Sequence, residues 1–173
     1  MKIFKIAAAI AALLIASHTS WSQTRAEVQV SGLTCSMCQL ATEKSLKTLG
    51  FIGEIKPNLN TGVYTLIFKK GQSVDLDQIK SKVKSAGFSV SKLVVTLSFD
   101  QVAISNNFHY RYEGKLYHFM NVAEKTLDGE VKLTVINKDF IPAGDFKKYA
   151  AQTTYSCYKS GVMGKDKVVH VTI

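Results

Sequence analysis

Apolar and polar positions change their period several times along this chain, and each change predicts an element. Val28-Gln29-Val30 alternates, which predicts a strand over 27–32. From Gln39 onward the spacing turns helical, so a helix is expected over 36–49, with Leu40, Leu46 and Leu49 on its inner face. Thr34 or Ser36 can cap it, and Gly50 is a natural stop. A second strand is expected over 51–55, a turn cluster over 57–62, and a third strand over Val63–Phe68. Asp75 suits the N-cap of a second helix over 76–86, with Leu76, Ile79 and Val83 at helical spacing. Gly87 ends that helix, and a fourth strand follows over 88–93. Strand, helix, strand, strand, helix, strand is the ferredoxin-like βαββαβ order: one antiparallel sheet with two helices on one face.

Beyond residue 93 the pattern is mainly β. Residues 94–99 continue apolar, and 108–112 alternates up to a turn at Glu113-Gly114-Lys115. Further strands are expected over 116–120, 131–136, 153–158 and 168–173, with a turn at Asp128-Gly129 and a short helix over 146–151. Many short strands and one helix suggest an OB-like barrel or a sandwich. The fold class is therefore α+β: a ferredoxin-like domain over 23–93, then a small β-rich domain over 94–173. No Gly/Ser/Pro stretch separates the two.

The start of the chain reads differently. Lys2 and Lys5 precede an apolar run over 6–16, and small polar residues follow up to Ser22. Residues 1–22 are expected to be a secretory signal peptide, which places the protein in the periplasm or outside the cell. The run is short for a bilayer span, and no later stretch is long and apolar enough, so no membrane association is expected after signal removal.

The formal charge of the 173 residues is +9. The basic residues are scattered lysines with few arginines, a solvated surface and not a nucleic-acid groove, so no nucleic-acid partner is expected. No Gly-x-Ser-x-Gly context, phosphate-binding glycine loop or spaced acid–histidine pair occurs, and no enzyme activity is expected.

Three cysteines remain, an odd number for an exported protein. Cys35 and Cys38 stand two residues apart where a strand should pass into a helix. Exposed N–H groups and the helix dipole there favour thiolates, the form that binds metal and also the form that attacks disulfides. Two thiolates make a soft donor pair that suits Cu(I). A structural zinc site would need four ligands, and no second CxxC or close histidine pair is present. Gln39 stands where a CxxCH haem motif needs histidine.

The loop Gly32-Leu33-Thr34-Cys35-Ser36-Met37-Cys38 resembles the Gly-Met-Thr-Cys-x-x-Cys signature of the heavy-metal-associated domain family. That family includes copper metallochaperones, the soluble modules of copper-transporting ATPases and periplasmic mercury-binding proteins. The likeness continues at Gly50-Phe51-Ile52 and Ala86-Gly87-Phe88, and spans residues 26–93. It implies metal ligation by Cys35 and Cys38 in a near-linear arrangement. The ion implied is Cu(I), with mercury(II) or zinc as alternatives. The partner implied is a copper transporter or acceptor that takes the ion by ligand exchange. It also implies that Phe88 packs near the loop. Leu33 departs from the usual methionine, a near-isosteric change.

Two other readings stay open: a thiol–disulfide carrier using the same pair, and an interaction protein whose β-rich domain carries the main role. Met37 reads as an exposed spacer or a third, thioether ligand. Cys157 reads as a buried core thiol, an intermolecular disulfide partner or a ligand. His109, His118, Met120, Met163 and His170 could compose a His/Met copper site, with His118 and Met120 on one strand face. The favoured expectation for them is separate packing roles.

Overall fold

The computed structural model describes residues 24–173. The expected signal peptide lies outside them. Nine strands and four helices follow in order: β1 (Arg25–Ser31), α1 (Ser36–Lys47), β2 (Ile52–Asn58), β3 (Val63–Phe68), α2 (Leu76–Ser85), β4 (Ser89–Ile104), β5 (His109–Tyr112), β6 (Lys115–Phe119), β7 (Lys125–Val135), α3 (Ala143–Ala151), α4 (Cys157–Ser160), β8 (Val162–Met163) and β9 (Asp166–Thr172). No described helix is long and apolar enough to cross a membrane.

The first half follows the expected βαββαβ order. In β3 the alternation is read out directly: Tyr64, Leu66 and Phe68 are buried, and their neighbours are partly exposed. Asp75 caps α2, its Oδ1 accepting from the Asp77 N–H at 2.9 Å. Leu76, Ile79 and Val83 of α2 pack with Ala26, Val28 and Leu93 in one core. Ser45 Oγ donates to Lys82 O at 2.8 Å and ties α1 to α2.

The inner face of α1 differs from the expected one. Leu40 is 41% exposed, and Thr42 is buried with Leu46 and Leu49. Thr42 can occupy the core because its hydroxyl donates to Cys38 O at 3.0 Å, leaving only its methyl to pack. Strand β2 runs through Pro57, which an edge strand tolerates.

Strand β4 is sixteen residues long and passes through residue 93 without a break. The expected boundary between the halves therefore falls inside a strand. The sheet order is β2-β3-β1-β4-β7-β9-β6-β5, with β8 paired to β9. This path is open, ending at β2 and β5, and a closed OB-like barrel is not what the strand order shows. Asp128-Gly129, expected as a turn, lies inside β7 opposite the irregularity between Phe99 and Val102 of β4. The long ladder between β4 and β7 absorbs it as a bulge.

Five consecutive residues of β4, Leu93 to Leu97, are buried, so this strand is covered on both faces. Leu93, Val95 and Leu97 join the core that also holds Leu46 of α1 and Ile79 and Val83 of α2. On the other face Val94 and Thr96 lie beneath two ion pairs that reach over β4 from its neighbours: Lys132 to Glu27 at 2.7 Å and Arg25 to Glu130 at 2.9 Å. Their aliphatic stems shield those positions.

The main core includes residues of both halves, from Leu46 and Ile79 to Phe119 and Val171. In the second half the opposite face of the sheet is covered too. Met120, Ile136 and Tyr158 pack there with Phe146 and Tyr149 of α3. Tyr158 donates its hydroxyl to Ile136 O at 2.7 Å.

Candidate functional sites

Cys35 and Cys38 sit where β1 hands over to α1. Cys35 is the N-cap residue, with extended backbone (φ −145°, ψ 158°), and its sulfur accepts from the Cys38 N–H at 3.3 Å. Cys35, and neither Thr34 nor Ser36, therefore caps the helix. The sulfur takes the place that a hydroxyl or carboxylate usually fills. Cys38 lies within the first turn. Cys35 is exposed and Cys38 half-exposed, and both are free thiols.

The two thiols are unequal. Hydrogen bonds from the Cys38 side chain and then its backbone N–H hold the Cys35 thiol below its ordinary pKa. Donating to Cys35, then desolvation, then the charge on Cys35 push Cys38 up. Cys35 is thus the first to ionise. The first turn of α1 carries no acidic residue to oppose a thiolate.

The loop is held in place from below. Leu33 packs against the main core. A Cβ on Gly32 would lie 3.5 Å from the Phe88 ring, so Phe88 does sit against this loop. Gly62 has φ +65°, and a Cβ there would come within 3.1 Å of Val30 O, beside the Leu33 side chain. Tyr64 donates its hydroxyl to Gln39 O at 3.0 Å, and Gln39 Nε2 donates to Leu59 O at 2.8 Å. Three apolar side chains stay in water around the thiols: Met37 at 70% exposure, Leu59 at 57%, and Leu40.

A second cluster lies in the other half. His109, His118 and His170 are register partners on the adjacent strands β5, β6 and β9, forming one row across the sheet. The His109 and His118 rings stack with centroids 4.0 Å apart and planes 14° from parallel. His170 meets His118 edge-on at 5.2 Å. Over this row α4 places Cys157, whose sulfur is 3.6 Å from His118 Nδ1 and 3.8 Å from His109 Nε2. Tyr155 closes against both rings, at 5.4 Å from His109 and 5.2 Å from His118.

His118 and His170 are wholly buried, and the Nε2 of each has no hydrogen-bond partner. Asn137 holds His170, its Nδ2 lying 3.2 Å from His170 Nδ1 and its Oδ1 accepting from the His170 N–H at 2.6 Å. Burial, and then the neighbouring imidazoles, bring His118 down to about 4 and His170 to about 3. Burial also lowers His109 and raises the Cys157 thiol.

The five His and Met candidates of the second half are thus divided. His109 and His118 converge with Cys157. Met120 is buried in the cluster with Ile136 and Tyr158, and Met163 is exposed on β8. Met120 lies just past the end of β6 but continues its ladder, the Met120 N–H donating to Val171 O at 2.8 Å, and its side chain packs with Ile136 and Tyr158. The expectation of isolated packing roles holds for neither His109 nor His118. The pairing of those two was available from the sequence. Glu113 and Gly114 have φ +46° and +79°, the signature of a two-residue type I′ hairpin. Counting outward from that turn puts His109 opposite His118. Nothing local placed Cys157: residues 153–158, expected as a strand, form a loop and the start of α4.

No family model matches the chain, and no curated protein matches it. Solved structures are similar to part of it. The CopZ metallochaperone is 23% identical, with 38% of this chain and 97% of that one covered, at a TM-score of 0.35. Oxidized MerP from Ralstonia metallidurans CH34 is 19% identical, with 39% and 94% covered, at a TM-score of 0.36. The putative copper-ion-binding protein from Bacillus anthracis str. Ames is 28% identical, with 38% and 90% covered, at a TM-score of 0.34.

Proposed function

We propose that this protein is an exported carrier of a soft metal ion, Cu(I) before mercury(II) or zinc, which it binds through Cys35 and Cys38 and releases to a protein acceptor. One observation carries the reading. A CxxC pair stands at the start of α1 with its first sulfur exposed as the N-cap and its second in the first turn. Buried sulfurs, or sulfurs remote from a helix start, would have excluded it.

The chemistry follows from that placement. The helix start stabilises the Cys35 thiolate, which captures the ion first, and Cys38 loses its proton as it joins. Two thiolates leave a Cu(I) ion coordinatively open. An acceptor thiolate can then enter, make a three-coordinate intermediate, and leave with the ion. Met37, Leu40 and Leu59 offer an apolar rim against which such an acceptor can dock while the sulfurs exchange.

Titration of the reduced Cys157→Ser protein with Cu(I), against a chromophoric Cu(I) chelator and without oxygen, tests the reading. One tightly held equivalent is expected, and loss of that equivalent on adding Cys35→Ser and Cys38→Ser. A reduced protein that holds no soft ion yet turns over disulfides would replace the carrier with a thiol–disulfide carrier.

A further inference from the structure

We propose that His109, His118 and Cys157 form a second metal site, distinct from Cys35 and Cys38, which holds one Cu(I) ion through His109 Nε2, His118 Nδ1 and Cys157 Sγ. The three donor atoms lie within 4.8 Å of one another, and among the described residues they are the one such group of His, Cys, Asp or Glu.

The distances fit coordination. A first-row ion about 2.0–2.1 Å from imidazole nitrogen and ~2.3 Å from thiolate sulfur holds those donors roughly 3.6–3.8 Å apart when the angle at the metal is about 110–120°. The sulfur-to-nitrogen separations here are 3.6 and 3.8 Å. The sulfur is thus placed for a trigonal ion, and the stacked rings of His109 and His118, whose in-plane lone pairs run nearly parallel, must turn apart for both nitrogens to meet it. The backbone that carries the donors is firmly held. Two come from paired strand positions, and the third from α4, which Tyr158 anchors to β7 and its following residue through Ile136 O.

Charge selects the ion. The site is buried, and a net charge there is costly. Binding removes the Cys157 thiol proton to solvent and adds one Cu(I), so the two neutral imidazoles, one thiolate and the ion sum to zero. A zinc ion would leave one positive charge in the same place. It would also want a fourth ligand, and no fourth His, Cys or carboxylate donor joins the group. The soft thiolate favours Cu(I) further. Entry is on the side of His109 and Tyr155, the half-exposed and exposed members of the cluster.

The two sites separate cleanly by experiment. The protein carrying Cys35→Ser and Cys38→Ser is titrated with Cu(I) under reducing, oxygen-free conditions, and the loaded protein is examined by X-ray absorption. One equivalent in a shell of two nitrogens and one sulfur is expected. Adding His109→Ala, a half-exposed position that spares the core, should weaken binding at least ~100-fold, the scale that even outer partners of a metal site reach. Adding Cys157→Ser should do the same and remove sulfur from the shell, with circular dichroism showing each variant folded. A folded Cys35→Ser/Cys38→Ser protein that retains no Cu(I) overturns the proposal. So does binding that survives His109→Ala and Cys157→Ser, or a preference for zinc over Cu(I). None of these outcomes bears on the exposed pair, which this protein lacks.

Discussion

Cys35 and Cys157 each stand at the start of a helix, yet they meet opposite conditions. Cys35 caps α1 in water, is lowered by hydrogen bonds from Cys38, and has exposed apolar side chains around it. Cys157 opens α4 inside the protein, is raised by burial, and faces two imidazoles. An exposed two-sulfur site lets an incoming ligand approach. An enclosed site of mixed nitrogen and sulfur donors keeps competitors out and holds its ion longer. The difference lies less in the residues than in what covers them: Cys35 and Met37 at the start of α1 are exposed, whereas Tyr155 and α4 lie over the histidine row.

That contrast is drawn on one continuous sheet, and the largest effect tests the continuity. Phe119 is fully buried in the core that also holds Leu46 and Ile79. Phe119→Ala is expected to cost about 3–5 kcal/mol. In thermal unfolding, a probe near Cys35 and one near His118 should shift together. Two separate transitions would show instead that the halves are independent.

The thiols themselves come next. In the reduced native protein, alkylation should reach Cys35 first and Cys157 last, with rates ~100-fold apart because one thiol is lowered and exposed and the other raised and buried. Mass mapping of the modified sites reads this directly, and denaturant should erase most of the difference. A fast Cys157 would mean that the histidine row is open to solvent.

Between about pH 7 and 5, acid should act on the enclosed histidines. His118 is neutral in the folded chain down to about 4, whereas its ordinary value is 6.5. The unfolded chain takes up the proton first as pH falls. Stability is therefore full above about 6.5 and declines below it, levelling off once the folded state is protonated near 4. For the metal-free protein the loss from His118 is roughly 2 kcal/mol by about pH 5. Denaturant melts between about pH 7 and 5 read this loss together with that from His170, lowered to about 3, and His118→Gln should reduce the slope by its own share if the variant folds.

The smallest effect concerns the ion pairs that arch over β4. Glu27→Gln breaks the pair with Lys132, both side chains being partly in water. The expected cost is under about 1 kcal/mol, fading further with added salt. A larger loss in urea melts would mean that these pairs, and not the shared core, join the halves.

Much of the first half was legible because its signals are local. Tyr64, Leu66 and Phe68 alternate, Asp75 precedes Leu76, and Cys35 lies where an alternating run meets a helical one. Leu40 misled because hydrophobicity alone cannot show that a threonine will satisfy its hydroxyl on its own helix and take the buried place. The second half resisted for a related reason. Asp128-Gly129 is a strong turn signal, but the β4–β7 ladder on either side outweighs it.

The sequence by itself determined the soft pair at Cys35 and Cys38 and its position between a strand and a helix. Spacing of two residues needs no tertiary information to bring those sulfurs together. The structure shortens the expected turn to the two residues Glu113-Gly114, and counting outward from it carries His109 to His118. Only the tertiary structure decided that Cys157, nearly forty residues beyond His118, closes over them, that His170 joins the row through the parallel pairing of β6 with β9, and that β4 runs on through both halves. Contacts between distant segments depend on which faces are left to bury once the local elements have formed, and no periodicity along the chain records that choice.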